Sequence, residues 1–281
     1  MKKGFETAAE KMFLLSALLS VLVTLLILGF MVILGLPLMK GGHFFSLLTQ
    51  GWSPRHDLYG IYPMMMGTLA IACLGVAFAF PLSLGCASLV SVLAKGRFAW
   101  FLRKAVQMMT GIPTVIYGFV GIFLLVPLIR ELLMGGSGMC VLSASVMLAI
   151  LISPTMILFF TDSFDRVPKS YTDAADALGG TGVQKLVYVI LPCSRKGILT
   201  GLILAVGRAF GDTLIALMLA GNAIQIPGSF SDSARTLTAH IALVIAADYE
   251  SLEFRSVFAC GIVLYLFTTL TVLLLRASEN R

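Results

Sequence analysis

The stretch MCVLSASVMLAILISPTMILFFT, Met139 to Thr161, runs for 23 residues without a charged side chain. A helix needs about 20 mainly apolar residues to cross the hydrocarbon core of a bilayer, so this segment reads as a membrane span. Working outward, comparable charge-free runs occur at Met12 to Leu36, Met64 to Ala94, Ala105 to Ile129 and Ser256 to Leu275. A sixth, Gly197 to Asn222, has the length but holds Arg208 and Asp212. Leu237 to Ala247 is apolar for too short a distance to span and reads as an external or re-entrant helix. The expectation is an all-α polytopic membrane protein with six transmembrane helices.

Composition agrees. The 281-residue chain is 58% hydrophobic and 12% charged, whereas a soluble domain carries about a quarter charged residues. That excludes a soluble enzyme, a disordered protein and a nucleic-acid binder. The net charge of +6 is therefore read by position, because cytoplasmic loops retain Lys and Arg. With the N-terminus inside, fourteen cations fall on inner segments, five (Lys40, Arg55, Arg130, Arg235, Arg255) on outer ones, and Arg208 lies within a span. Both termini are expected in the cytoplasm of a cell whose inner membrane holds the chain. The first run exceeds the roughly 7 to 15 residues of a signal-peptide core and lacks a small-residue cleavage site, so it reads as a retained helix. The five cysteines are scattered, and His43, His56 and His240 have no zinc-like spacing, so neither a disulfide framework nor a metal site is expected.

The organisation read from these runs is a cytoplasmic N-terminus at 1–11, a first span at 12–36 and a core at 64–275. That core carries a cytoplasmic loop at 162–196 and an external loop at 223–255. In the cytoplasmic loop, Ser170 with Asp173 three residues on fits a helix N-cap. Tyr171, Ala174, Ala175 and Leu178 then recur at helical spacing to make a small apolar face. Gly179 and Gly180 are expected to end that helix, and a second run from Val183 to Leu191 to stop at Pro192. Periodicity alone leaves two readings, a plain surface hairpin or a docking knob.

In the sixth run, Arg208 lies near mid-depth, where an ionisable residue is costly and marks a cavity, a partner or a pathway. Arg208 and Asp212 are four apart, so on a continuous helix they share one face, with Gly201, Ala205, Ala209, Ala216 and Ala220 near it. Either the two neutralise each other, or the guanidinium meets an oxyanion whose geometry its fork suits, with Asp212 accepting a P–OH hydrogen bond. Pro113 and Pro154 free the carbonyls of Met109 and Ile150, and each reads as a packed kink or as irregular backbone lining a cavity. The second reading makes Thr110, Thr114 and Tyr117 path candidates.

Asp173-Ala174-Ala175, then Gly179, then Val189 and Leu191-Pro192 resemble the EAA loop of ABC importer permeases: Glu-Ala-Ala, three residues, Gly, nine residues, Ile, any residue, Leu-Pro. Asp and Val stand here for Glu and Ile. The resemblance implies that Asp173, Ala174, Ala175, Leu178, Gly179, Leu191 and Pro192 belong to a coupling segment seated on a separate ATPase. The chain has no phosphate loop of its own, its nearest stretch, Gly180 to Lys185, having Gln184 where Gly should stand. No cofactor is expected on this chain, and ATP would be used by a partner.

From about Tyr59 to Ala247 the chain further resembles the phosphate-specific permeases of the PstC type. The carrying segments are Thr110 to Gly118, Gly207-Arg208-Ala209-Phe210-Gly211-Asp212-Thr213, Gly221-Asn222 and Ala234 to Thr238. Asp212 stands where that family usually has Glu. The resemblance implies a type I ABC importer permease fold, with Arg208, Asp212 and Thr213 on the substrate path. It also implies a PstA-like second permease, two PstB-like ATPase subunits and a PstS-like external phosphate-binding protein, which the external loop with Arg235, His240 and Asp248 could contact unless those residues are simply solvated. The expected function is ATP-driven import of inorganic phosphate. The alternatives are sulfate, molybdate or tungstate import, an ion-coupled carrier without an ATPase, or a sensory scaffold.

Overall fold

The computed structural model describes residues 2–39, 43–94 and 96–279. Lys40, Lys95 and Arg281, counted in the charge distribution, lie outside the described residues. The chain runs through α1 (Lys2–Met39), α2 (His43–Thr49), and a hairpin of β1 (Trp52–Ser53) and β2 (Leu58–Tyr59) turned through left-handed Asp57. Then come α3 (Tyr62–Ser88) with a wide final turn at Leu89–Leu93, α4 (Arg97–Met109), α5 (Thr114–Val120), a wide turn at Gly121–Leu125, and α6 (Val126–Leu132). The second half holds α7 (Val141–Asp165), α8 (Lys169–Ala177), α9 (Gly182–Lys185), α10 (Leu191–Cys193), α11 (Arg195–Gly211), α12 (Leu214–Leu219), α13 (Leu237–Val244) and α14 (Leu252–Glu279).

Five helical segments are long and apolar enough to cross a membrane: Ala9–Gly35, Tyr62–Leu93, Thr114–Leu132, Val141–Asp165 and Leu252–Leu274. A sixth crossing depends on how a bent pair is counted, since Gly182–Cys193 and Arg195–Gly211 meet at 72°. α11 alone is about 25 Å long, short of the ~30 Å core, and α12 supplies the remainder beyond a break at Asp212 and Thr213. The sixth run is thus divided between two helices rather than being one.

Burial grades the spans. α7 is the central one, and its serines stitch it to α3: Ser145 Oγ donates to Ile71 O at 3.3 Å, and Ser83 Oγ to Ser153 O at 3.3 Å. Such bonds, with the close contact of Gly75 against Leu148, let two backbones approach where lipid offers no hydrophobic drive. Ile71, Ala72, Ala144, Leu148, Ile152, Met156, Phe160, Ala205 and Ile215 fill this core. A second cluster at one end joins Leu47, Trp52, Ile61 and Met64 to Leu237, Cys260 and Val263. α1 keeps most of its apolar side chains on the outside and packs chiefly along α14, where Gly35 meets Ile262 and Gly261 meets Met31.

Several sequence expectations are corrected. The run Ala105 to Ile129 is not one helix: Pro113, extended at φ −59° and ψ 139°, separates α4 from α5, so the span begins at Thr114. Leu237 to Ala247 does form a short helix, over Leu237–Val244, and residues 234–240 around its start are not a solvated surface, whereas 228–232 are exposed. His240 is fully buried, with Trp52 edge-on at 4.4 Å and Ser256 Oγ 3.5 Å from Nε2. Arg235 is half-buried, its Nε donating to Asn222 O at 3.1 Å, and Asp248 is exposed.

Candidate functional site

Arg208 occupies the last turn of α11, where its charge complements the negative end of the helix dipole. It is exposed from the single chain, and its Nη1 donates to Thr155 Oγ1 on α7 at 3.2 Å. Among the described residues it forms no ion pair, so most of its guanidinium fork lacks a protein acceptor.

One turn on, the helix stops. Gly211 is its last residue, and Asp212 turns extended at φ −72° and ψ 126°. The Asp212 carboxylate then accepts the Ile215 N–H at 2.9 Å and so caps α12, satisfying an otherwise orphaned donor. Its carbonyl accepts Thr238 Oγ1 at 2.9 Å, which ties the break to α13. Asp212 keeps a helical φ and so follows Arg208 at the i, i+4 position, but its ψ turns the chain out of the helix immediately after it. Among the described residues no ion pair joins the two, and each has another hydrogen-bond partner. Arg208 still lies within electrostatic range of both Asp212 and Tyr117.

The break is braced from three sides. Thr236 caps α13 by accepting Ala239 N–H at 3.1 Å, and Thr68 of α3 accepts Leu237 N–H at 2.9 Å while donating to Met64 O at 2.8 Å. Ala234 N donates to Ala220 O at 2.8 Å, and left-handed Gly221 and Asn222 turn the chain there. Thr68, Asp212, Thr236 and Thr238 line one small cavity with Ile71 and Leu148. Irregular backbone buried inside protein at membrane depth is how discontinuous helices are tolerated. The sequence singled out Thr236 and Thr238 only within a motif and missed Thr68 and Thr155, whose roles exist only across helices.

The other break is satisfied locally. Pro113 frees the Met109 carbonyl as expected, and Tyr117 Oη donates to it at 3.0 Å. Thr110 turns its hydroxyl onto Gln107 O at 2.7 Å and Thr114 opens α5. Among the described residues no hydrogen bond joins Thr110, Thr114 or Thr213 to Arg208. α5 instead approaches α12 through Gly118 against Met218 and Gly121 against Leu219.

The segment with the EAA-like pattern protrudes at the far end of α11. α8 starts at Lys169 directly after Pro168 and has no side-chain cap, so Ser170 is not the cap expected of it: proline fixes the entry in its place. The helix ends at left-handed Gly179, with Gly180 N–H on Ala175 O at 2.9 Å. Nothing on α8 is buried; Leu178 is 89% exposed and Tyr171 54%. α9 opens with a capping box between Thr181 and Gln184, which is the structural task of Gln184. Pro192 does not stop the second helix, which continues to Cys193. The wide turn at Leu186–Ile190 bonds Leu191 N–H back to Leu186 O, and Pro192 falls in the first turn of α10, where its missing N–H is tolerated. Buried Leu186 and Ile190 root this segment, and Lys185 Nζ bonds Asp176 Oδ2 at 2.6 Å. At the bend, Ser194 Oγ donates to Ser163 O at 3.2 Å, so the protruding segment is fixed to both α7 and α11. Asp173, Ala174, Ala175, Leu191 and Pro192 thus sit on a segment joined through a 72° bend to the helix that carries Arg208.

An interrupted apolar run with a cation free of ion pairs at its break, and a protruding segment at its other end, suit a transport subunit. Residues 79–281 match the family described as "Binding-protein-dependent transport system inner membrane component", and the chain belongs to it. It is 32% identical over 238 residues to a probable ABC transporter permease protein, YqgH, of Bacillus subtilis, covering 84% of this chain and 77% of that one. It is 31% identical over 259 residues to the phosphate transport system permease protein PstC of Haemophilus influenzae, covering 84% and 80%. Among solved structures, a chain of a bacterial ABC transporter importing the polysaccharide alginate superposes with a TM-score of 0.68 at 14% identity, over 99% of this chain and 98% of that chain. A chain of the MetNI methionine ABC transporter, inward facing, gives 0.61 at 17% identity, over 85% and 99%. The fold is that of ABC importer permeases, as expected.

Proposed function

We propose that this chain is the transmembrane permease subunit of an ATP-driven importer for inorganic phosphate, coupled to a separate ATPase through residues 162–196. The observation that carries the substrate reading is Arg208, a cation at the break of a span with a hydroxyl partner only and most of its fork open. A planar fork of N–H donors matches phosphate bidentately. Asp212 sits within electrostatic range and would select a protonated oxyanion by accepting its P–OH; Thr213, Thr110, Thr114 and Tyr117 would line the approach. Likeness to a PstC permease supports phosphate, and by the same likeness the assembly would add a PstA-like permease, two PstB-like ATPases and a PstS-like binding protein. Both termini and the 162–196 segment would face the cytoplasm. Membership of a binding-protein-dependent family weighs against the ion-coupled carrier.

The test is uptake of radiolabelled phosphate by cells lacking this chain, complemented with wild type or Arg208→Gln, with excess sulfate or molybdate as competitor. Restoration by wild type alone, indifferent to competitors, is the expected result. Loss of uptake to one competitor moves the substrate to that oxyanion, and full activity of Arg208→Gln removes Arg208 from the path.

A further inference from the structure

α4 is the most amphipathic helix of the chain, and it does not cross the membrane: its 13 residues extend only about 20 Å. Two observations fix its depth. It follows directly on the end of the span Tyr62–Leu93, and Arg103 Nη2 bonds Asp165 Oδ2, at the end of the span Val141–Asp165, at 2.6 Å. α4 therefore lies at the membrane–water boundary, at the end of the bundle that carries the protruding segment. Val106 is buried against the protein, and Ala99, Leu102 and Met109 are partly covered.

The opposite arc is unusual. Trp100 is 64% exposed, Phe101 62% and Met108 75%, and between them at helical spacing project Arg97 and Lys104, both exposed. Neither cation bonds another described residue, and α4 contains no acid. Aromatic side chains with basic ones, on one helix face at the boundary, are suited to a leaflet surface: rings at headgroup depth, cations against anionic lipid. A face meeting neutral lipid or a protein core has no use for two unpaired cations beside tryptophan. We propose that the Arg97, Trp100, Phe101 and Lys104 face of α4 binds anionic phospholipid headgroups and seats this corner of the permease in the leaflet.

The test uses the assembled transporter in vesicles where a fixed fraction of lipid is brominated, either as phosphatidylglycerol or as phosphatidylcholine. Trp100 fluorescence is read as the difference between wild type and Trp100→Phe, which cancels Trp52 and partner tryptophans. The expected result is quenching about twofold or more stronger by the anionic lipid, declining as salt is raised and abolished in Arg97→Gln/Lys104→Gln. Equal quenching by both lipids would overturn the headgroup assignment, and no quenching by either would mean a protein covers this face. If the double variant fails to assemble, the wild-type salt series decides alone.

Discussion

Arg208 and Asp212 show how a charge can be read from a sequence while its geometry cannot. The depth of Arg208 follows from counting, and an intramembrane cation needs a purpose whatever its surroundings. Nothing local announces that the helix ends at Gly211, since no proline stands there and Gly-Asp is tolerated inside helices. What ends it is a choice of partner: the Asp212 carboxylate takes the Ile215 N–H and its carbonyl takes Thr238. Capping and charge can be separated experimentally. Asp212→Asn retains a good cap and should leave thermal unfolding in detergent nearly unchanged while impairing phosphate uptake. Asp212→Ala loses the cap and should destabilise the chain by about 1 kcal/mol, seen as a lower melting temperature. Tyr117→Phe removes the hydroxyl from the Met109 carbonyl, which keeps the Ile112 N–H, and should cost about 0.5 to 1.5 kcal/mol in the same assay.

At the scale of elements, the apolar runs were legible because hydrophobicity over 20 residues is a strong signal, and the short 237–247 helix was legible because length alone disqualifies it as a span. The breaks were less so. Pro113 was visible, yet whether it kinks a helix or divides two depends on α4 finding its own contact with α7 through Arg103. Nor could the sequence give the closeness of elements. At Gly67 of α3 an added Cβ would collide with the Arg235 backbone carbonyl, which is part of the loop leading into α13. Gly67→Ala must therefore displace either α3 or that loop. It is expected to lower stability by roughly 1 to 3 kcal/mol, with uptake reduced as the Thr68 to Leu237 hydrogen bond is lost. Unchanged melting and uptake would show that the contact yields freely.

For the whole molecule, the EAA-like pattern was readable as sequence, but its mechanical meaning needed the structure. α8 and Leu178 protrude with their apolar residues uncovered, and the segment is bonded through Ser194 to α7 at the start of the helix that carries Arg208. Between the 72° bend that joins it to this segment and the break, α11 runs as one helix, Arg195–Gly211. Leu178, nearly fully exposed, contributes little to the fold of this chain. Leu178→Asp should leave melting of the isolated permease unchanged while abolishing co-purification of the ATPase. Retention of that subunit would place the docking surface elsewhere.

The pairing of α1 with α14 has a consequence for biosynthesis. Among the described helices, α1 is translated first and α14 last, yet Gly35 of α1 packs on Ile262 and Gly261 of α14 on Met31. α1 must wait in the lipid without that partner until the intervening chain has been threaded, and ribosome-bound intermediates should present it as a free, exchangeable rod. Closing that clasp has to await the synthesis of α14, however early α1 is inserted.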